Sequence, residues 1–120
     1  MNNPVLPSGE APAGVFQIAR LAREQALGQK AYLEFLRVPA LSLGLYVLPA
    51  GGVDQQQPHS EDEVYYVVGG RAQMVVGADS FAVETGSVIY VGAGVEHRFF
   101  DIVEEVSVLV FFAPAEYTLR

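Results

Sequence analysis

Cysteine and tryptophan are absent from this chain, and histidine occurs only twice. Without cysteine there is no disulfide framework, no thiolate nucleophile and no sulfur ligand for a metal. Positive charge is scarce too: seven lysines and arginines face fourteen acids, for a formal net charge of −7. No basic stripe exists to neutralise phosphates, so nucleic acid is excluded as a partner, and an anionic membrane surface is excluded for the same reason. No apolar run approaches the about 20 residues that span a bilayer. Residues 1–14 have neither a basic cluster nor an apolar stretch of signal-peptide length, so a cytoplasmic location is expected.

What is present points to a single β-rich domain. A chain of 120 residues can bury roughly two-thirds of its unfolded surface, enough for an independent core. Residues 1–14, rich in Pro, Gly and small side chains, read as a surface arm or strap. Val15, Ile18, Ala19, Ala22 and Ala26 recur at helical spacing before Gly28, which predicts a short amphipathic helix over 15–27, with an edge strand over 15–18 as the alternative. Beyond Gly28, closely spaced turn signals separate β-rich runs at 32–38, 41–48, 64–68, 72–76, 81–84, 88–91, 97–102 and 106–113. About eight short strands of this kind describe an all-β sandwich or barrel. Residues 1–30 then form an arm and helix, and residues 31–120 the barrel. The Gly69-Gly70 pair predicts a two-residue hairpin turn. Runs 64–68 and 106–112 are apolar on both faces, where a half-solvated strand should alternate. Their outer face needs a cover, supplied in part by the helix and otherwise by a second subunit, which predicts a homodimer packed sheet against sheet.

The two histidines, His59 and His97, carry the functional signal. Side chains alternate along a strand, so ligands on one face are separated by even numbers of residues. Gln57, His59 and Glu63 meet that condition in an extended stretch, and His97 reaches across from another strand. Two imidazoles and a carboxylate make a donor set suited to iron, and also to zinc, manganese, nickel or copper. Asp62 has the opposite parity and should face outward, whereas Glu61 is a rival to Glu63 on the same face. The plain alternatives are a surface turn histidine after Pro58 for His59 and a hydrogen-bonded core histidine for His97. The flanking glycines and the register of Glu63 favour the ligand reading.

The spacing resembles the paired motifs of the cupin superfamily. The first motif, G-x5-H-x-H-x3-E-x6-G, falls on Gly51, Gln57 in place of the first histidine, His59, Glu63 and Gly70. The second, G-x5-P-x-G-x2-H-x3-N, falls on Gly86, Gly92 in place of proline, Gly94, His97 and Asp101 in place of asparagine. The resemblance runs from about Leu43 to Pro114 and implies a small single-domain cupin: a double-stranded β-helix, or jelly roll, here with a short N-terminal helix. It also implies one divalent transition metal per chain, held by Gln57, His59, Glu63 and His97. Gln57 offers a neutral amide oxygen where the family places an imidazole, which lowers affinity for borderline and softer metals. Gln56 takes its place if the loop bulges. Gly92 loosens the turn before His97, and Asp101 is assigned no role.

Tyr65 and Phe99 share parity with Glu63 and His97 and should enter the same cavity, chiefly to fill it. Tyr46, on the preceding strand, joins them unless a register slip turns it outward. Glu96 and Arg98 read as an exposed pair. No residue off the metal has the marks of a dedicated base, since Glu63 is itself a ligand and no third histidine exists. Three classes of function stay open. The first, slightly ahead, is a metalloenzyme with oxygenase, isomerase or lyase chemistry on a small oxygenated or carboxylated substrate. The second is a small-molecule binding or sensing barrel, and the third a structural domain with a vestigial site.

Overall fold

The computed structural model describes residues 13–118, so the expected arm at 1–14 lies almost entirely outside the described residues. One helix, α1 (Ile18–Leu27), precedes six strands: β1 (Tyr32–Val38), β2 (Leu41–Leu48), β3 (Asp62–Val76), β4 (Asp79–Glu84), β5 (Val88–Val91) and β6 (His97–Ala113). The strands form an antiparallel sheet in the order β1-β2-β6-β3-β4, with β5 pairing on β3. The sheet is curled in jelly-roll fashion but is not closed.

Six strands replace the eight expected because two pairs of short runs are continuous. Residues 64–68 and 72–76 belong to β3, and 97–102 and 106–113 belong to β6. The predicted Gly69-Gly70 hairpin is therefore absent. Gly70 has a φ of +97°, and a Cβ on it would collide with the carbonyl of Glu105 on β6. The glycine pair serves a bulged strand passing very close to its neighbour, which is the other use of glycine in a sheet. The β3–β6 register slips around Val67, Gly69, Arg71 and Gln73. Asp101, with φ of 47°, is a left-handed break near the same bend, a conformation asparagine and aspartate tolerate better than most residues.

The bend decides where the site lies. Glu63 lies near the start of β3 opposite Phe112, while Val76 ends it opposite His97. A straight strand would hold those ends about 40 Å apart. Instead the two halves face each other, and Glu63 Oε1 lies 3.3 Å from His97 Nε2. Between the halves sits the main core, which includes Val67, Met74, Val83, Phe99, Val106 and Val108.

A second, smaller core lies on the outer face. There α1 buries Leu21 against Phe35 and Leu45, with Phe16 packed on Phe35 at 4.9 Å between ring centroids. The helix starts at Ile18, three residues later than its apolar pattern predicts, because Gln17 is extended and provides no side-chain cap. Residues 15–17 join no strand. Gly28 ends the helix, its N–H bonding back to Glu24 and Gln25. Among the described residues no helix is long and apolar enough to cross a membrane.

Candidate metal centre

The site draws on two strands, one loop and the turn after β6. Glu63 and Tyr65 point inward from β3 by strand alternation, and His97 and Phe99 do so from β6; all four are buried. His59 arrives by a different route from the one its spacing suggests. Residues 52–60 are irregular and β3 begins only at Asp62. The loop is held by Asp54, a buried carboxylate that accepts from Tyr46 Oη at 2.6 Å, Gln56 Nε2 at 2.8 Å and the backbone N–H of Phe99 at 2.9 Å. The carbonyl of His59 accepts from the N–H of Gly94 at 2.7 Å, and its ring packs on Phe112 at 4.7 Å. A buried anion with several well-aligned donors can fix an otherwise structureless loop.

His59, Glu63 and His97 come together, their donor atoms all within 4.8 Å of one another. Glu63 Oε1 lies 3.2 Å from His59 Nδ1 and 3.3 Å from His97 Nε2. His97 Nδ1 is 2.9 Å from the carbonyl of Val95, which can accept its proton and leave Nε2 facing Glu63. The Tyr65 hydroxyl lies 2.8 Å from Glu63 Oε2, 2.8 Å from Gln56 Oε1 and 3.0 Å from His97 Nε2. Tyr65 is thus a polar member of the site as well as a filler, whereas Phe99 packs edge-on against its ring at 5.4 Å. Tyr46 turns toward Asp54 and lines the neighbouring cavity.

Of the two glutamines, Gln56 reaches Tyr65 and Asp54, while Gln57 is exposed at the cavity wall. Asp62 faces outward and accepts from Tyr90 and from the N–H of Ala93, and Glu61 is buried. Glu96 and Arg98 are exposed. Two functional acids escape the sequence reading. Asp54 was hidden in a polar loop, and Glu116, in the turn after β6, places Oε2 2.9 Å from His59 Nε2. The one hint of Glu116 is a solitary acid in an apolar, proline-containing segment.

Charges in the cluster are mutually dependent. Burial opposes protonation of His59, but the carboxylates of Glu116 and Glu63 outweigh it and push its pKa up to about 9. Burial alone would raise Glu63; His59, His97 and Tyr65 instead bring it down to about 2. For His97, burial is likewise overcome by Glu63 and the Val95 carbonyl, and its pKa rises. Burial and the charge of Glu63 push Tyr65 well above the usual tyrosine range, so it stays a neutral hydroxyl.

The donor set fits a divalent transition metal. His59 Nδ1 is buried and, despite its 3.2 Å approach to Glu63, has no hydrogen-bond partner among the described residues. Facing the Glu63 carboxylate from out of water, it shares a proton with that carboxylate in the metal-free protein, and a cation could take the proton's place between them. Beside the cluster opens a cavity of about 840 Å³ lined by Tyr32, Arg37, Tyr46, Gln56, His59 and Glu116, among others. Its wall depends on Gly44, since any Cβ there would strike the ring of Tyr32.

Comparison with known proteins supports this architecture. An uncharacterised protein of Streptomyces coelicolor, SCO3923, is 50% identical over 101 residues, covering 84% of this chain and 96% of its own. The crystal structure of TT1209 from Thermus thermophilus matches with a TM-score of 0.69 at 25% identity, over 84% of this chain and 97% of that one. An RmlC-like cupin from Methanocaldococcus jannaschii, with a double-stranded β-helix fold, matches with a TM-score of 0.64 at 16% identity, over 72% and 81% of the two chains. Residues 44–112 match the family model for the cupin domain. With both motifs in register and the jelly-roll sheet around them, the chain belongs to the cupin family.

Proposed function

We propose that the protein binds one divalent transition metal through His59, Glu63 and His97 and acts on a small oxygenated or carboxylated molecule held in the adjoining cavity. The observation that carries this reading is the convergence of two imidazoles and a carboxylate, from His59, Glu63 and His97, with donor atoms all within 4.8 Å of one another. When bound, such an ion supplies Lewis-acid activation of substrate oxygens or a route to oxygen chemistry, in keeping with an oxygenase, isomerase or lyase. Glu63 contributes the negative charge that offsets the ion, and Tyr65 orients Glu63 while remaining un-ionised. Gln57, at the motif position, or Gln56, already beside Tyr65, offers an amide oxygen as a further ligand. Iron, manganese, zinc, nickel and copper all suit this set.

A second reading is a binding or sensing cupin. It is favoured by the fact that both histidines of the chain are engaged in the cluster, which leaves no third imidazole for proton transfer. Inductively coupled plasma mass spectrometry on protein purified without chelator or affinity metal tests the shared premise. About one equivalent per chain is expected, lost in His59→Ala and His97→Ala. Failure to take up any metal, even on reconstitution, would sink it.

The protein is also proposed to pair with a second copy of itself through the outer face of β3 and β5. Tyr66, Val88 and Tyr90 are exposed there by 40%, 67% and 63%, beyond the reach of α1. Light scattering at micromolar concentration should give the dimer mass; a stable monomer overturns the pairing.

A further inference from the structure

We propose that Glu116 is the positioning residue for His59, holding the proton on Nε2 so that Nδ1 is the nitrogen presented to a metal, while His97 presents Nε2. This rests on the metal-centre reading above and concerns how the chain prepares its ligands. The two nitrogens of an imidazole are not equivalent: the one that donates a hydrogen bond to an outer partner leaves the other as the ligand. His97 has that arrangement in one sense, with Nδ1 on the Val95 carbonyl at 2.9 Å and Nε2 toward Glu63. His59 has it in the opposite sense. Its Nε2 lies 2.9 Å from Glu116 Oε2, and its Nδ1 is the buried atom facing Glu63.

Glu116 is itself well anchored. Its backbone N–H donates to the hydroxyl of the buried Ser42 on β2 at 2.9 Å. Its carbonyl accepts from the Arg37 guanidinium on β1. Its side chain is only 9% exposed, so the carboxylate is held in place by the sheet and not by a free loop. Turning the His59 ring over would set a C–H against that buried carboxylate and strip it of its donor. The turn after β6 therefore acts on the metal position through His59 without touching it.

Nuclear magnetic resonance of 15N-histidine-labelled protein tests this, with long-range 1H–15N correlations identifying each ring nitrogen. In wild-type protein loaded with Zn²⁺, His59 should show a zinc-bound Nδ1 and a protonated Nε2, and His97 the reverse. A zinc-bound Nε2 on His59 would overturn the proposal. Glu116→Ala should populate both His59 orientations and lower zinc affinity by about 10–100-fold. Glu116→Gln, whose amide oxygen still accepts from Nε2, should restore most of the affinity. Wild-type affinity and an unmixed His59 in Glu116→Ala would also overturn it. A metal-free arm separates the two readings. At a pH raised until the His59 ring is seen to be neutral, His59 should carry its proton on Nε2, toward Glu116. That tautomer in a protein that takes no zinc would refute the metal centre and sustain the role of Glu116, whereas the opposite tautomer refutes the role of Glu116 alone.

Discussion

The interior of this sheet has two ends built from the same strands by the same alternation, yet they hold opposite chemistry. At one end Val67, Met74, Val106 and Val108 pack without a polar side chain among them. At the other, Glu63, Tyr65 and His97 are equally buried, joined by His59, Asp54 and Glu116. The difference is one of supply. Strands alone bring side chains to a face; the polar end also receives a loop, residues 52–60, and the turn after β6, which furnish partners for the buried charges. An interior can hold carboxylates where hydrogen-bond partners converge on them, here from strands, loop and turn together.

Exchanging the chemistry of the two ends should break the fold most severely. Val108→Asp places a carboxylate where no loop can reach it and should cost about 5 kcal/mol or more, or prevent folding outright; urea unfolding measures this. A loss below about 1 kcal/mol would show that the apolar end tolerates charge and that the contrast is wrong. Asp54→Ala attacks the supply side. It strands the Tyr46 hydroxyl and the Phe99 N–H, and should cost about 2–4 kcal/mol by the same assay while loosening His59.

The smallest effect is the pH dependence of the metal-free protein. His59 is raised above its unfolded value, so its contribution is complete below about pH 6.5 and is lost as pH rises through about 9. Glu63 is lowered, so its contribution is complete above about pH 4.5 and is lost as pH falls through about 2. Melting temperature should therefore peak between those limits, and His59→Phe should remove most of the alkaline decline. A decline unchanged in that variant would assign it to another group.

Strand periodicity made the inward residues readable: Glu63, Tyr65, His97 and Phe99 all lie on continuous strands, where parity holds. The same reasoning reached His59 by a premise that does not apply, because residues 52–60 are not extended; fixed motif spacing, not alternation, is what placed it. Gly69-Gly70 was misread since a glycine pair serves a turn and a close strand crossing equally well, and only the partner backbone at Glu105 distinguishes them. Asp54 and Glu116 were invisible for a plainer reason. Glu116 meets His59, and Asp54 meets the Phe99 N–H besides its nearer partners Tyr46 and Gln56, yet neither acid sits in a periodic segment that would declare its direction.

The crossing at Gly70 also bears on the candidate metal position, although residue 70 never approaches it. The sheet is creased there like folded paper, and the same two strands, β3 and β6, carry Glu63 and His97 at the far end. A single methyl group at position 70 would be wedged against the backbone of β6, and one of the two strands would have to shift. The frame that carries the site thus depends, along its spine, on the absence of a side chain.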